Sequence, residues 1–330
     1  MTGPAPTSPL RDAQGRSISY LRLSLTDRCN FRCSYCSPLS PEQGEDPLTR
    51  PEVARLTAVF AGLGIRRVRL TGGEPTLRRD LVEIVGDVAG CPGIEEVALT
   101  TNGQALAELA GPLRAAGATR INVSLDTLDP GRLQALSGRA ASLPRITAGI
   151  AAAGAAGFAS VKLNVVVMKG VNDGELGELA RFGWRHGAIV RFIELMPFGR
   201  GVPVPLAEVR RLLVEQGLRL EPDATRGWGP ASHMRGFGEG APPEGGLLGF
   251  IGAMTENFCE GCNRVRVAAD GTLRACLGGR SQVSLKGLLR DGASDQAIGA
   301  QIVAALALKA ERHEMGAAGS KLLPMLGTGG

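Results

Sequence analysis

Aromatic residues make up only 4% of this 330-residue sequence, with two Trp and two Tyr. That scarcity leaves little material for the stacked platforms on which proteins hold single-stranded nucleic acid. Histidine is also scarce, occurring only at His186, His233 and His313, so a metal site has to draw mainly on other ligands. Long apolar runs are missing as well. The opening MTGPAPTSPLRDAQ lacks the apolar stretch of a secretory signal, and no uninterrupted run is long enough to span a bilayer. Even the small-residue stretch 148–161 is broken by Gly149, Gly154 and Gly157. Neither sign of charge dominates, since 37 basic and 32 acidic residues leave a net charge of +5 and a pI near 9.0. Such a surface is mildly basic and also suits a small anionic substrate. These absences predict a cytoplasmic protein with no nucleic-acid and no membrane partner. A hydrophobic content of 44% over this length supports one large core, or a large and a small one.

Cysteine is present, and it is grouped. Cys29, Cys33 and Cys36 are spaced C-x3-C-x2-C in DRCNFRCSYC, and Cys259, Cys262 and Cys276 are spaced C-x2-C-x13-C. The seventh, Cys91, lies beside Pro92 and reads as a small hydrophobe. In a reducing compartment thiols stay free, so this usage argues for metal binding over disulfides. A structural zinc ion takes four Cys or His ligands. Neither trio has a fourth at a suitable spacing, although His313 could be recruited to the second. Iron–sulfur clusters are held by cysteine thiolates, usually four. Three ligands therefore suggest a four-iron cluster with one iron left open to a substrate or cosubstrate.

Six β-branched runs alternate with helical stretches: 20–26, 67–71, 97–101, 120–126, 161–167 and 189–195. Helical periodicity closes at Gly64, Gly117, Gly157 and Gly187, residues suited to left-handed C-caps, and Thr49 before Pro51 reads as a helix start. This order predicts an α/β fold with a parallel sheet. Side chains alternate faces along a strand. Arg22, Ser24 and Thr26 therefore share a face, as do Arg69 and Thr71, then Asn122, Ser124 and Asp126, then Lys162 and Asn164. The loops DRCNFRCSYC, TGGEPT, TTNGQ and SLDTLD follow the C-terminal ends of their strands, where parallel barrels build active sites. The pattern changes at GRGVPVP; beyond it come a helix over 206–215, a Gly/Pro-rich cover over 221–246 and a last helix over 297–312.

The stretch GRSISYLRLSLTDRCNFRCSYC, with aromatic Tyr35 before the third Cys, resembles the opening of radical S-adenosylmethionine (SAM) enzymes. It is most similar to the GTP 3′,8-cyclase (MoaA) family, which begins molybdenum cofactor synthesis. Ser37-Pro38 stands where that family usually has Met-Pro, and only a local packing difference is expected from it. The resemblance implies an incomplete parallel (β/α) barrel of the radical SAM type with a C-terminal extension carrying a second iron–sulfur cluster. Its division would be a mobile lead over 1–15, the barrel over 16–218 and the second-cluster region over 219–330. The cofactors implied are SAM and two [4Fe-4S] clusters, one on Cys29, Cys33 and Cys36, the other on Cys259, Cys262 and Cys276 with its open iron on the purine of GTP. TGGEPT matches the family's glycine motif, so Gly73 would contact the SAM amino group, with Tyr35, Ser124 and Met196 as further SAM contacts. Arg22, Arg69, Thr100 and Lys162 would bind GTP from the barrel, and Arg264, Val265 and Arg266 from the loop CNRVR. Arginine suits a triphosphate because its planar fork stays charged at any working pH. Arg191 is a further candidate.

Catalytic roles would fall to Arg264, Arg266 and the terminal Gly329 and Gly330, the last two reaching into the site. By the same resemblance, a 5′-deoxyadenosyl radical takes hydrogen from C3′ of GTP, and the carbon radical adds to C8. The partners implied are GTP, an electron donor, a downstream cyclic pyranopterin monophosphate synthase and a second copy of the chain in a homodimer. Two rivals are a radical SAM enzyme acting on a peptide and a non-catalytic zinc or nucleic-acid module. The basic strand residues weigh against the first, and the missing fourth ligands and few aromatics against the second.

Overall fold

Alternation of apolar strands with helices builds one sheet in the computed structural model, which describes residues 9–36, 46–138, 141–225, 227, 229–279, 282–313 and 315. The strands are β1 (Tyr20–Ser24), β2 (Arg67–Thr71), β3 (Glu96–Thr101), β4 (Arg120–Ser124), β5 (Ser160–Val167) and β6 (Ile189–Glu194). They continue with β7 (Arg219–Asp223), β8 (Ser232–Phe237), β9 (Gly246–Ile251), β10 (Arg264–Val267), β11 (Thr272–Arg274) and β12 (Gln282–Ser284). Their order is β12-β11-β10-β1-β2-β3-β4-β5-β6-β9-β8-β7. From β10 through β9 every neighbouring pair is parallel. Antiparallel strands finish both edges. The sheet does not close, so the expected incomplete barrel is what forms.

The helices are α1 (Arg50–Gly62), α2 (Leu81–Ala89), α3 (Leu106–Ala115), α4 (Pro130–Ser137), α5 (Leu143–Ala155), α6 (Leu176–Arg185), α7 (Leu206–Glu215), α8 (Leu285–Arg290) and α9 (Asp295–Ala307). Helix α1 begins in a reciprocal capping box: Thr49 accepts from the Glu52 amide, and the Glu52 carboxylate accepts from the Thr49 amide at 2.7 Å. The glycines expected to close helices do adopt positive φ, from +64° at Gly187 to +105° at Gly64 and Gly117. The sequence reading marks neither α2 nor α4, although Leu81, Ile84, Val85 and Val88 fall at helical spacing and are the buried face of α2. The last helix is shorter than expected: Ser294 caps it by accepting from the Ala297 amide, and the chain leaves it after Ala307. Past that point the carbonyls of Ala310 and Glu311 accept from Arg16. The N-terminal lead, where described, is packed: Leu10 is buried, and buried Asp12 accepts from Arg16 Nε at 2.6 Å.

The helices cover one face of the sheet. Leu21, Leu23, Val68, Leu70, Val265 and Val267 point that way and are fully buried. Alternate residues point inward. Arg22 pairs with Arg266 on one side and Arg69 on the other, and Arg274 stands opposite Arg266. Directly paired residues share a face, so β10, β1 and β2 present a row of guanidinium-bearing side chains to the interior. Among the described residues no helix is long and apolar enough to cross a membrane.

Candidate active site

One cavity opens at the C-terminal ends of the central strands, and Cys29, Cys33 and Cys36 line it together. Their loop lies directly on the glycine motif. A Cβ on Gly73 would run into the carbonyl oxygens of Arg28 and Asp27, so only glycine admits this approach. The loop is also tied across the barrel, because the Tyr35 hydroxyl donates to Asp126 Oδ2 at 2.7 Å. Burial pushes the Cys33 thiol well up, helped by Asp126 and the neighbouring cysteines. Burial, then Cys29 and Asp126, push Cys36 up to about 12. Burial and the Asp126 carboxylate thus disfavour the thiolates of Cys33 and Cys36, and a cationic centre such as iron would oppose both effects. Among the described residues no three His, Cys, Asp or Glu side chains are grouped so as to hold a single metal ion. A cluster asks for a different arrangement, with each thiolate on its own iron corner.

Two buried carboxylates hold these loops in place. Glu74 accepts from the Thr76 amide and hydroxyl at 3.0 and 2.6 Å, the Thr101 hydroxyl at 2.7 Å and the Asn102 amide at 2.7 Å. It thereby joins the loop after β2 to the end of β3. Burial raises its pKa, and these donors oppose the rise. Asn102 passes the link on, donating to Asn30 within the cysteine loop at 2.7 Å. Asp126, whose pKa burial raises to about 6, accepts from the Val166 amide at 2.8 Å as well as from Tyr35.

Arg22, Arg69, Arg191, Arg264 and Arg266 line the same cavity. Among the described residues no ion pair links Arg69, Arg191, Arg264 or Arg266 to a carboxylate. Their partners are the Tyr20 hydroxyl, two asparagines, the Phe258 ring and the Cys262 sulfur. Arg69 Nε donates to the Tyr20 hydroxyl at 2.7 Å, and Arg264 lies over the Phe258 ring at 4.6 Å. Arg191 donates to Asn122 Oδ1 at 2.7 Å and to Asn164 Oδ1 at 2.6 and 2.9 Å. The Nε atoms of Arg264 and Arg266 and the Thr71 hydroxyl are buried with no hydrogen-bond partner among the described residues. Burial, then Arg266 and Arg69, hold Arg22 well below the usual arginine range. Burial, then Arg69, bring Arg191 down to about 9; burial, then Arg264, bring Arg266 down to about 10. A field of buried like charges with unsatisfied donors is a binding surface for a polyanion.

The second trio flanks this cavity. Phe258 and Leu277, next in sequence to Cys259 and Cys276, line it with Arg264 and Arg266, while the three cysteines are not among its lining residues. Arg264 Nη2 is 3.7 Å and Lys309 Nζ 3.5 Å from Cys262 Sγ. Burial would raise the Cys262 pKa, but Arg264 and Lys309 outweigh it and bring the thiol down to about 6. A thiolate among cations is a ready iron ligand.

The sequence-predicted residues thus divide. Tyr35, Gly73, Ser124, Met196, Arg22, Arg69, Thr100, Arg264 and Arg266 are brought together around the cavity. Lys162 is not among its lining residues; it lies two residues before the lining Asn164 on the same strand face, opposite Asn122. Val265 is fully buried and turns its side chain to the helix layer. Ser37, Gly329 and Gly330 lie outside the described residues. Sequence reasoning gave no role to Glu74 or Lys309, and it placed Asp126 on the inner face without its tie to Tyr35. Alternation from Ser124 was the available signal for Asp126, and the motif TGGEPT for Glu74.

Comparison with known proteins agrees with this geometry. The profile of the Radical SAM superfamily matches residues 23–183, and that of Molybdenum Cofactor Synthesis C matches residues 188–315. The chain is 45% identical to GTP 3′,8-cyclase of Heliobacterium modesticaldum, over 92% of this chain and 94% of that protein. It is 42% identical to the enzyme of the same name from Moorella thermoacetica, over 93% and 95%. Among solved structures, Streptococcus suis SuiB bound to its precursor peptide SuiA superposes with a TM-score of 0.60 at 16% identity. That match covers 86% of this chain and 66% of SuiB, and it shows a shared fold.

Lys162 provides a pH test. Burial, then Arg191, Arg120 and Arg69, lower its pKa to about 7. Its unfolded value is about 10.4. The folded group therefore binds fewer protons than the unfolded one between these values, and its contribution to stability rises with pH across that window. An anion in the cavity favours the ammonium. Inorganic triphosphate binding at pH 8 is expected to take up protons, seen by calorimetry in buffers of different ionisation heat, and Lys162→Met should reduce that uptake. Equal uptake by both proteins would contradict the assignment.

Proposed function

Since the chain belongs to the GTP 3′,8-cyclase family of radical SAM enzymes, we propose that it converts GTP into 3′,8-cyclo-7,8-dihydro-GTP, the first step of molybdenum cofactor biosynthesis. The observation that carries this reading is a single cavity lined by a cysteine trio, a glycine motif and five arginines. Cys29, Cys33 and Cys36 hold a [4Fe-4S] cluster, and Cys259, Cys262 and Cys276 hold a second. When bound and reduced, the first cluster supplies the electron that cleaves SAM to methionine and a 5′-deoxyadenosyl radical.

The protein's own task is placement. The main chain at Gly73 approaches the SAM amino group, with Tyr35, Ser124 and Met196 around the rest of the molecule. Asp126 fixes Tyr35 through its phenol, and Glu74 fixes the loop that carries Gly73. Arg22, Arg69, Arg264 and Arg266 take the triphosphate, with the further candidate Arg191 beside them, and Thr100 and the Val265 main chain contact the nucleotide. Lys162 contributes positive charge from beneath the lining. Together these contacts hold C3′ near the radical and its C8 within reach, and they crowd out water and other hydrogen donors.

The barrel over 16–218 and the second-cluster region over 219–330 act as one site, because β9 and β10 pair with barrel strands β6 and β1. A cytoplasmic electron donor supplies the reducing equivalents, a cyclic pyranopterin monophosphate synthase consumes the product, and the chain works as a homodimer. Gly329 and Gly330, outside the described residues, are assigned by the family resemblance to assisting SAM cleavage.

The reading is tested anaerobically with iron-reconstituted protein, SAM, GTP and a strong reductant. 5′-Deoxyadenosine and a cyclised guanine nucleotide are expected together; deoxyadenosine formed without GTP dependence would redirect the activity to a peptide substrate. A chain lacking Gly329 and Gly330 should keep its iron and lose cyclisation, and undiminished turnover would remove the tail from the mechanism.

A further inference from the structure

Lys309 follows the last helix and is 3% exposed. Burying an ammonium costs several kcal/mol unless an anion and hydrogen bonds compensate it. Among the described residues it forms no ion pair with a carboxylate. Its Nζ donates to the Arg264 carbonyl at 2.6 Å and lies 3.5 Å from Cys262 Sγ. The carbonyl satisfies a proton and leaves the charge unneutralised. The other group in contact with it, the Cys262 sulfur, is the one able to carry a negative charge.

The surrounding chain fixes this contact. Arg16 donates to the carbonyls of Ala310 and Glu311 at 2.8 Å and of Cys259 at 2.9 Å, fastening the segment after the helix to the second trio. His313 Nε2 lies 2.6 Å from the Ala253 carbonyl, a second anchor beyond Lys309. Arg264, the other cation at Cys262, lines the cavity and is assigned to the substrate, whereas Lys309 is not among the cavity's lining residues.

We propose that Lys309 is a positioning residue whose hydrogen bond to the Cys262 sulfur sets the reduction potential of the cluster on Cys259, Cys262 and Cys276. This rests on the second trio holding a cluster. Hydrogen bonds and positive charge at a cluster's sulfurs stabilise its reduced form, which carries one more negative charge.

The test is an EPR-monitored redox titration of the reconstituted holoenzyme and of Lys309→Met, with iron content measured alongside. Lys309→Met is expected to favour the oxidised second cluster by about tenfold, a downward midpoint shift of about 59 mV for one electron, with the first cluster's midpoint unmoved. Two clusters with unchanged midpoints would overturn the proposal. If Lys309→Met retains a single cluster, Lys309→Arg decides: both clusters with a wild-type midpoint support it, and loss of the second cluster despite the retained charge contradicts it. Cys262→Ala separates the two readings. It should leave one cluster's worth of iron, and full iron content would remove the second cluster and this proposal with it.

Discussion

The structure depends on holding several guanidiniums of one sign inside a barrel with few counter-charges. Neighbouring strands lie about 4.8 Å apart, and unit charges at that spacing repel by about 3.5 kcal/mol at an effective dielectric near 20. Arg266, Arg22 and Arg69 occupy adjacent registers on β10, β1 and β2. Burial and mutual repulsion together depress Arg22 and Arg266. A polyphosphate reverses both effects, because each oxygen supplies an acceptor and a negative charge at once. Stability is thus given up in the empty cavity and regained on binding.

The remaining architecture keeps that cavity in shape. Helices cover the apolar face of the sheet and leave the inner face to polar groups. Buried carboxylates then act as clamps. Glu74 binds two loops together with four hydrogen bonds, and Asp126 holds both the Val166 amide and the Tyr35 phenol. Gly249, opposite Arg191 on β9, makes room as well, since a Cβ there would stand 2.8 Å from Arg191 Cγ.

Local signals in the chain were legible because they depend on residues close in sequence. The six barrel strands, the glycine C-caps, the helix start at Thr49 and both cysteine trios belong to this class. The inner-face alternation of Arg22, Asn122 and Lys162 could be read in the same way, from the period of two along a strand. Long-range pairing was hidden. Nothing near Arg22 indicates that β10, some 240 residues later, will set Arg266 beside it. The hydrogen bonds of Arg191 to two asparagines from β4 and β5 have the same cause. Lys309 was illegible because a lysine in the last turn of the expected helix over 297–312 reads as solvated, and the contacts of Arg16 with residues 310 and 311 fasten that segment inward.

The central claim is that the arginine cavity is built for a triphosphate. Its most direct test compares anaerobic binding of GTP and guanosine to the cluster-loaded protein by equilibrium dialysis. GTP should bind at least about a hundredfold more tightly, roughly 2.7 kcal/mol, and replacing Arg266 with Ala should narrow the gap. Equal affinities for the two would mean that the arginines serve some other purpose, and would contradict the account.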